Sequence, residues 1–237
     1  MLSDSGASGL TKQLLAQLPP STCIGFSQSQ LQSLATLSFG ACQGLSSSCL
    51  SNINATVFPG FHPLCVSSFS ANALQSITPI QLSALTPTAT AALSGEVIAN
   101  LPVSVCSAFS PAQAATLGMM FPHTTCAMMT PACIGQLTPT AIASLNALSC
   151  IALLGSMSLS KLTIQQLAAL SPLILNYLPS SALANVQPVI CSGFSDEQIE
   201  NLQVTPPTTP TPTPTPTHIS LHAKSTANNS WFKTLLT

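Results

Sequence analysis

The chain has 237 residues, room for one or two domains with a sizeable buried core. Asp, Glu, Lys and Arg make up only 4% of it, against roughly 25% in ordinary soluble domains. Four Lys and no Arg exclude a basic nucleic-acid surface. With Glu96 the sole carboxylate between Gln13 and Ser195, a paired-carboxylate mechanism is excluded across that span.

The N-terminal segment, residues 1–18, begins MLSDSGASGLTKQ. It lacks the basic and apolar regions of a signal peptide, so the chain reads as a mature form or a fragment. From residue 19 to 204 one motif recurs: an apolar residue, a hydroxyl residue, then apolar residues four and seven places on. The hydroxyls are Ser27, Ser46, Ser70, Thr78, Thr86, Ser110, Thr130, Thr138, Thr163, Ser171 and Ser195. Each is read as a helix N-cap. Six are followed at once by Pro, the residue favoured at the first helical position, and five have Gln three places later (30, 81, 113, 166, 198), completing a capping box.

The residue before every cap is apolar, and the residue seven after it is Leu or Ile. The first packs as a hydrophobic staple, and the second prolongs one apolar stripe. Helices of about two turns are not stable alone, because nucleation costs more than so few hydrogen bonds return. The fold class expected is therefore all-α, a solenoid or compact superhelix of short capped helices that stack on one another. The stretch TAIASLNALSCIALLGSMSL at 140–159 is long enough to span a bilayer, but its Asn, Gly and hydroxyl residues fit the repeat better.

At Thr205 the composition changes to alternating Thr and Pro as far as Thr217. Such a run forms an extended spacer of roughly 3.1 Å per residue, which in a secreted protein is an O-glycosylated stalk. Residues 218–237 read as a disordered tail with no apolar run of anchor length.

The units SITPIQLSALTPTATAAL at 76–93, GQLTPTAIASL at 135 and KLTIQQLAALSPLIL at 161 resemble the L-[ST]-P-x-[QEA]-[LI]-x-x-L repeats of the mesothelin and stereocilin family. The resemblance covers most of residues 20–203. It implies a superhelical extracellular module used in adhesion or in an extracellular coat. The charged residues common in that family's repeats are absent here, and its pattern has no match for the recurring Cys before the cap.

Nine cysteines in a chain so poor in catalytic partners point to an oxidising compartment. Cys23, Cys42, Cys106, Cys126 and Cys191 lie four residues before a cap, whereas Cys49 and Cys133 lie three after one. Local disulfides Cys42–Cys49 and Cys126–Cys133 are expected, each tying a loop to the next helical turn. Cys23, Cys65, Cys106, Cys150 and Cys191 are left to pair between neighbouring repeats or with another chain, or to serve as buried thiols.

His62 with Cys65 and His123 with Cys126 each form an H-x-x-C, the ligand types of a tetrahedral zinc site. Both are read instead as one recurring loop position, and no metal or cofactor is expected. Asn54-Ala-Thr56 and Asn228-Asn229-Ser230 are N-glycosylation sequons. No nucleophile elbow, P-loop or dinucleotide fingerprint occurs. The chain is thus expected to be a non-enzymatic cell-surface protein, disulfide-assisted, with a protein or glycan partner or with copies of itself. It would meet a membrane only through an anchor absent from this sequence. The alternatives are a membrane-associated or pore-forming protein, and a hydrolase built around His62 or His123.

Overall fold

The computed structural model describes residues 9–37, 40–117, 119–120, 125–145, 150, 161–171 and 192–201. The expected stalk, the tail, His123, Cys191 and Asn228 lie outside them, as does the helix expected after Ser171. Among the described residues there is no strand. The α-helices are α1 (Lys12–Ala16), α2 (Pro20–Cys23), α3 (Gln28–Leu37), α4 (Ser47–Asn52), α5 (Pro63–Ser67), α6 (Pro79–Ala84) and α7 (Pro87–Ala91). They continue with α8 (Gly95–Ala99), α9 (Pro111–Thr116), α10 (Pro131–Gln136), α11 (Pro139–Ser144), α12 (Ile164–Ala168) and α13 (Asp196–Asn201). Three 3-10 segments, Ala41–Gly44, Ala55–Gly60 and Val103–Ala108, lie between them.

The helices begin where their hydroxyls place them. Side-chain oxygens of Ser46, Thr78, Thr86, Ser110, Thr130, Thr138 and Thr163 accept from the backbone N–H three residues on, and Ser27 and Ser195 do the same. All five glutamine capping boxes form, each Gln Oε1 accepting from the cap residue's own N–H at 2.7 to 2.9 Å. Ser70 differs from expectation, because residues 71–76 form consecutive turns rather than a helix. No Pro follows Ser70 and position 73 is an Ala that cannot close a capping box; Ser46 lacks both as well, yet its hydroxyl accepts from the Cys49 N–H and starts α4. Thr11, Asn54, His62 and Ser94 cap elements outside the eleven motifs.

Most of the later elements pack on one earlier in the chain. One line of contacts runs from α1 through Ala41–Gly44, α5, α7, α9 and α11 to α12; another runs from α3 through Ala55–Gly60, α6 and Val103–Ala108 to α10. The core lies along these lines. Staple residues such as Phe26, Leu45, Phe69, Ile77, Leu85, Phe109 and Leu137 are buried, as are Leu31, Leu50, Leu82, Ile134, Ile142 and Leu167 four after their caps. Thr90, an exception to the apolar pattern, is also buried, and its hydroxyl donates to the Thr86 carbonyl at 3.0 Å. Phe58, Phe61 and Phe69 meet edge to face, with ring centroids 5.2 and 5.6 Å apart.

Two glycines permit close backbone approach between these layers. A Cβ on Gly44 would collide with the Lys12 carbonyl, and one on Gly60 would lie 2.5 Å from the Gln28 carbonyl. The candidate spanning stretch at 140–159 is interrupted where α11 ends at Ser144. Among the described residues no helix is long and apolar enough to cross a membrane.

Candidate functional site, an open cleft across four layers

The position three residues after the cap couples one layer to the next. Gln81 directs its Nε2 to the carbonyls of Leu50, Ser51 and Ile53 at 3.1, 3.1 and 2.7 Å, residues 28 to 31 places upstream. Gln113 donates to Leu82 and Leu85, both at 2.8 Å. Gln166 donates to Leu137 at 2.6 Å and Gly135 at 3.1 Å, and Gln198 to Leu170 at 2.6 Å and Leu167 at 3.0 Å. The last carbonyls of a helix have no partner within it. These amides supply one while the same side chain closes a capping box, which explains how so many glutamines are buried without an orphaned polar atom among the described residues.

Where Gln is replaced by Cys, a covalent bond takes over the same task. The disulfides are Cys23–Cys49, Cys42–Cys65, Cys106–Cys133 and Cys126–Cys150, with Cα separations of 4.8 to 5.4 Å. They replace the expected local pairs Cys42–Cys49 and Cys126–Cys133. The reason is directional: the residue three after a cap faces the preceding layer, as Gln81 and Gln113 do, so Cys49 and Cys133 meet cysteines 26 and 27 residues upstream. The two sets of four cysteines are interlaced in the same way and offset by 83 to 85 residues.

These bridges also remove the thiols of the zinc candidate, because Cys65 and Cys126 are both oxidised. His62 is occupied as a cap, its Nδ1 accepting from the Leu64 N–H at 3.2 Å, which leaves the proton on Nε2. Among the described residues no cluster of His, Cys, Asp and Glu is arranged to hold a metal. Asn54 is exposed and caps the 3-10 segment that follows it.

Among the described residues an open cleft of about 570 Å3 lies on the surface. Gln43 lines it from the first 3-10 segment, Ser67, Ser68 and Phe69 from the end of α5, Ser94 and Glu96 from the start of α8, and Ala127 and Met128 from the turn before α10. Four separate chain segments therefore line it. Gln43, Glu96, Ala127 and Met128 are exposed, while Phe69 is buried beneath them. The Gln43 Oε1 accepts from Lys12 Nζ at 2.6 Å, which frees its Nε2 to donate. The Ser94 hydroxyl accepts from the Val97 N–H at 3.3 Å and keeps its own proton for a ligand. Ser67 and Ser68 donate to the carbonyls of Leu64 and Cys65 at 3.0 and 2.8 Å, leaving oxygen lone pairs available. Glu96 adds a carboxylate, and Met128 adds a soft apolar surface. The lining thus offers both hydrogen-bond donors and acceptors, with one carboxylate among them.

Of the cleft residues the sequence singled out only Phe69, as the staple before Ser70, and Glu96, whose isolation in an uncharged span was visible. The others come from separate segments of the chain, and no local pattern connects them. A scan against protein-family models and a search of curated proteins find no match to the chain.

Proposed function

We propose that this protein is a non-enzymatic extracellular or cell-surface module, an α-solenoid of disulfide- and glutamine-coupled layers that binds a neutral glycan, or a hydroxyl-rich protein segment, in the cleft around Glu96. The cleft carries the reading: hydroxyl, amide and carboxylate groups from four chain segments line one open, largely uncharged concavity. The two interlaced cysteine sets support an internal duplication, as a repeat protein requires. The four disulfides favour an oxidising compartment, and the repeat motif's likeness to mesothelin and stereocilin favours adhesion or coat assembly.

A binding surface with a single carboxylate gives little electrostatic steering, so binding changes little between low and physiological salt. The test is to titrate the full chain, oxidised, against neutral and acidic oligosaccharide probes. Neutral probes bind, and Glu96→Gln combined with Met128→Ala weakens them by about tenfold, equivalent to about 1.4 kcal/mol. Binding that survives both substitutions, or that collapses on adding salt, rejects the cleft as the site.

A further inference from the structure

Among the described residues, asparagine amides are used in two opposite ways. Asn52 and Asn100 donate their Nδ2 protons to the carbonyls of Ser48 and Glu96, at 2.7 and 2.8 Å, one turn back in the chain. Asn54 is reversed. Its Oδ1 accepts from the Thr56 backbone N–H at 3.0 Å and from the Thr56 hydroxyl at 2.9 Å. The backbone N–H can only donate, which fixes the amide with oxygen toward Thr56. Nδ2 then takes no hydrogen bond among the described residues, and both Asn54 and Thr56 are exposed.

We propose that Asn54 is an N-glycan attachment site, an inference that rests on the extracellular part of the function proposed above. In the transfer, Nδ2 attacks the anomeric carbon of an oligosaccharide diphosphate held by a glycosyltransferase. The C–N bond forms, the bond from carbon to the phosphate oxygen breaks, the diphosphate departs with the electron pair, and one amide proton passes to a base of the transferase. The two hydrogen bonds on Oδ1 stabilise the negative charge that gathers there as Nδ2 loses its proton. The product keeps the fold, because a sugar on Nδ2 leaves Oδ1 in place to cap Ala55–Gly60.

The experiment is to secrete the full chain from a eukaryotic host behind a cleavable leader. The peptide containing residue 54 is weighed before and after peptide-N-glycosidase, which converts a glycosylated Asn to Asp. Peptic digestion is used because no Lys or Arg lies between Lys12 and Lys161. Residue 54 carries hexose and N-acetylhexosamine mass in most molecules; Asn54→Gln and Thr56→Ala abolish it, and Thr56→Ser retains it. Cell-free translation with microsomes reads the same result as a glycan-sized gel shift if a variant is not secreted. A chain with four disulfides formed and Asn54 unmodified overturns the proposal. Oligosaccharide binding in the cleft, tested with Glu96→Gln, succeeds or fails independently of this occupancy.

Discussion

Neighbouring glutamines in α12 offer a sharp test of the interlayer coupling. Gln166 is 3% exposed, whereas Gln165 lies on the exposed face. Replacing Gln166 with Ala removes the Oε1 that accepts from the Thr163 N–H at 2.7 Å, a capping loss of about 1 kcal/mol. It also strips donors from the carbonyls of Leu137 and Gly135, 2.6 and 3.1 Å away. A buried acceptor left without a partner costs about 1–3 kcal/mol, so the total is about 3 kcal/mol. For a chain of this size that lowers Tm by roughly 6–12 °C. Gln165→Ala removes no interlayer bond and stays within about 0.5 kcal/mol of the parent. Urea and thermal melts followed by circular dichroism, without reductant, measure both. If the two variants fall within about 0.5 kcal/mol of each other, the coupling argument is wrong.

Gln166→Glu places a carboxyl group against the same carbonyls, where only its protonated form can donate. Burial and those acceptors raise its folded pKa above the unfolded value, so the variant is most stable at acid pH and loses stability as pH rises through the folded pKa; urea melts across pH give the slope, which the parent lacks at this position. Replacing both Cys106 and Cys133 with Ala opens a loop with a sequence separation of 27 and costs about 3–4 kcal/mol in the chain-entropy account, seen as a lower urea midpoint with the other three disulfides intact by peptide mapping. Gly44→Ala destabilises by about 1–3 kcal/mol through the Lys12 carbonyl, whereas Gly25→Ala, with its nearest neighbour at 3.5 Å, does not; thermal melts separate them.

Local order was readable directly from the amino acids. Hydroxyl caps, Pro at the first helical position and Gln at the third act within one turn of chain, so Thr78-Pro79-Ile80-Gln81 carries its own instructions for starting a helix. The staple and stripe positions are buried for the same reason: apolar spacing matched to the helical period leaves one face that must be covered. Ser46 and Ser70 both lack Pro and Gln behind them, and only Ser46, whose Cys49 is bridged to Cys23, starts a helix.

Tertiary packing decided what those same residues meet. Spacing shows that Cys49 and Gln81 share a position, but not that the position faces the layer before it; only the stacking of α2 on α4 brings Cys23 to Cys49 and leaves Cys42 for Cys65. The cleft is likewise a product of stacking, since Gln43, Ser68, Glu96 and Met128 are far apart in sequence and none needs the others for its local structure. Short-range hydrogen bonding sets where each helix begins, and burial of the shared apolar faces sets which loops become neighbours.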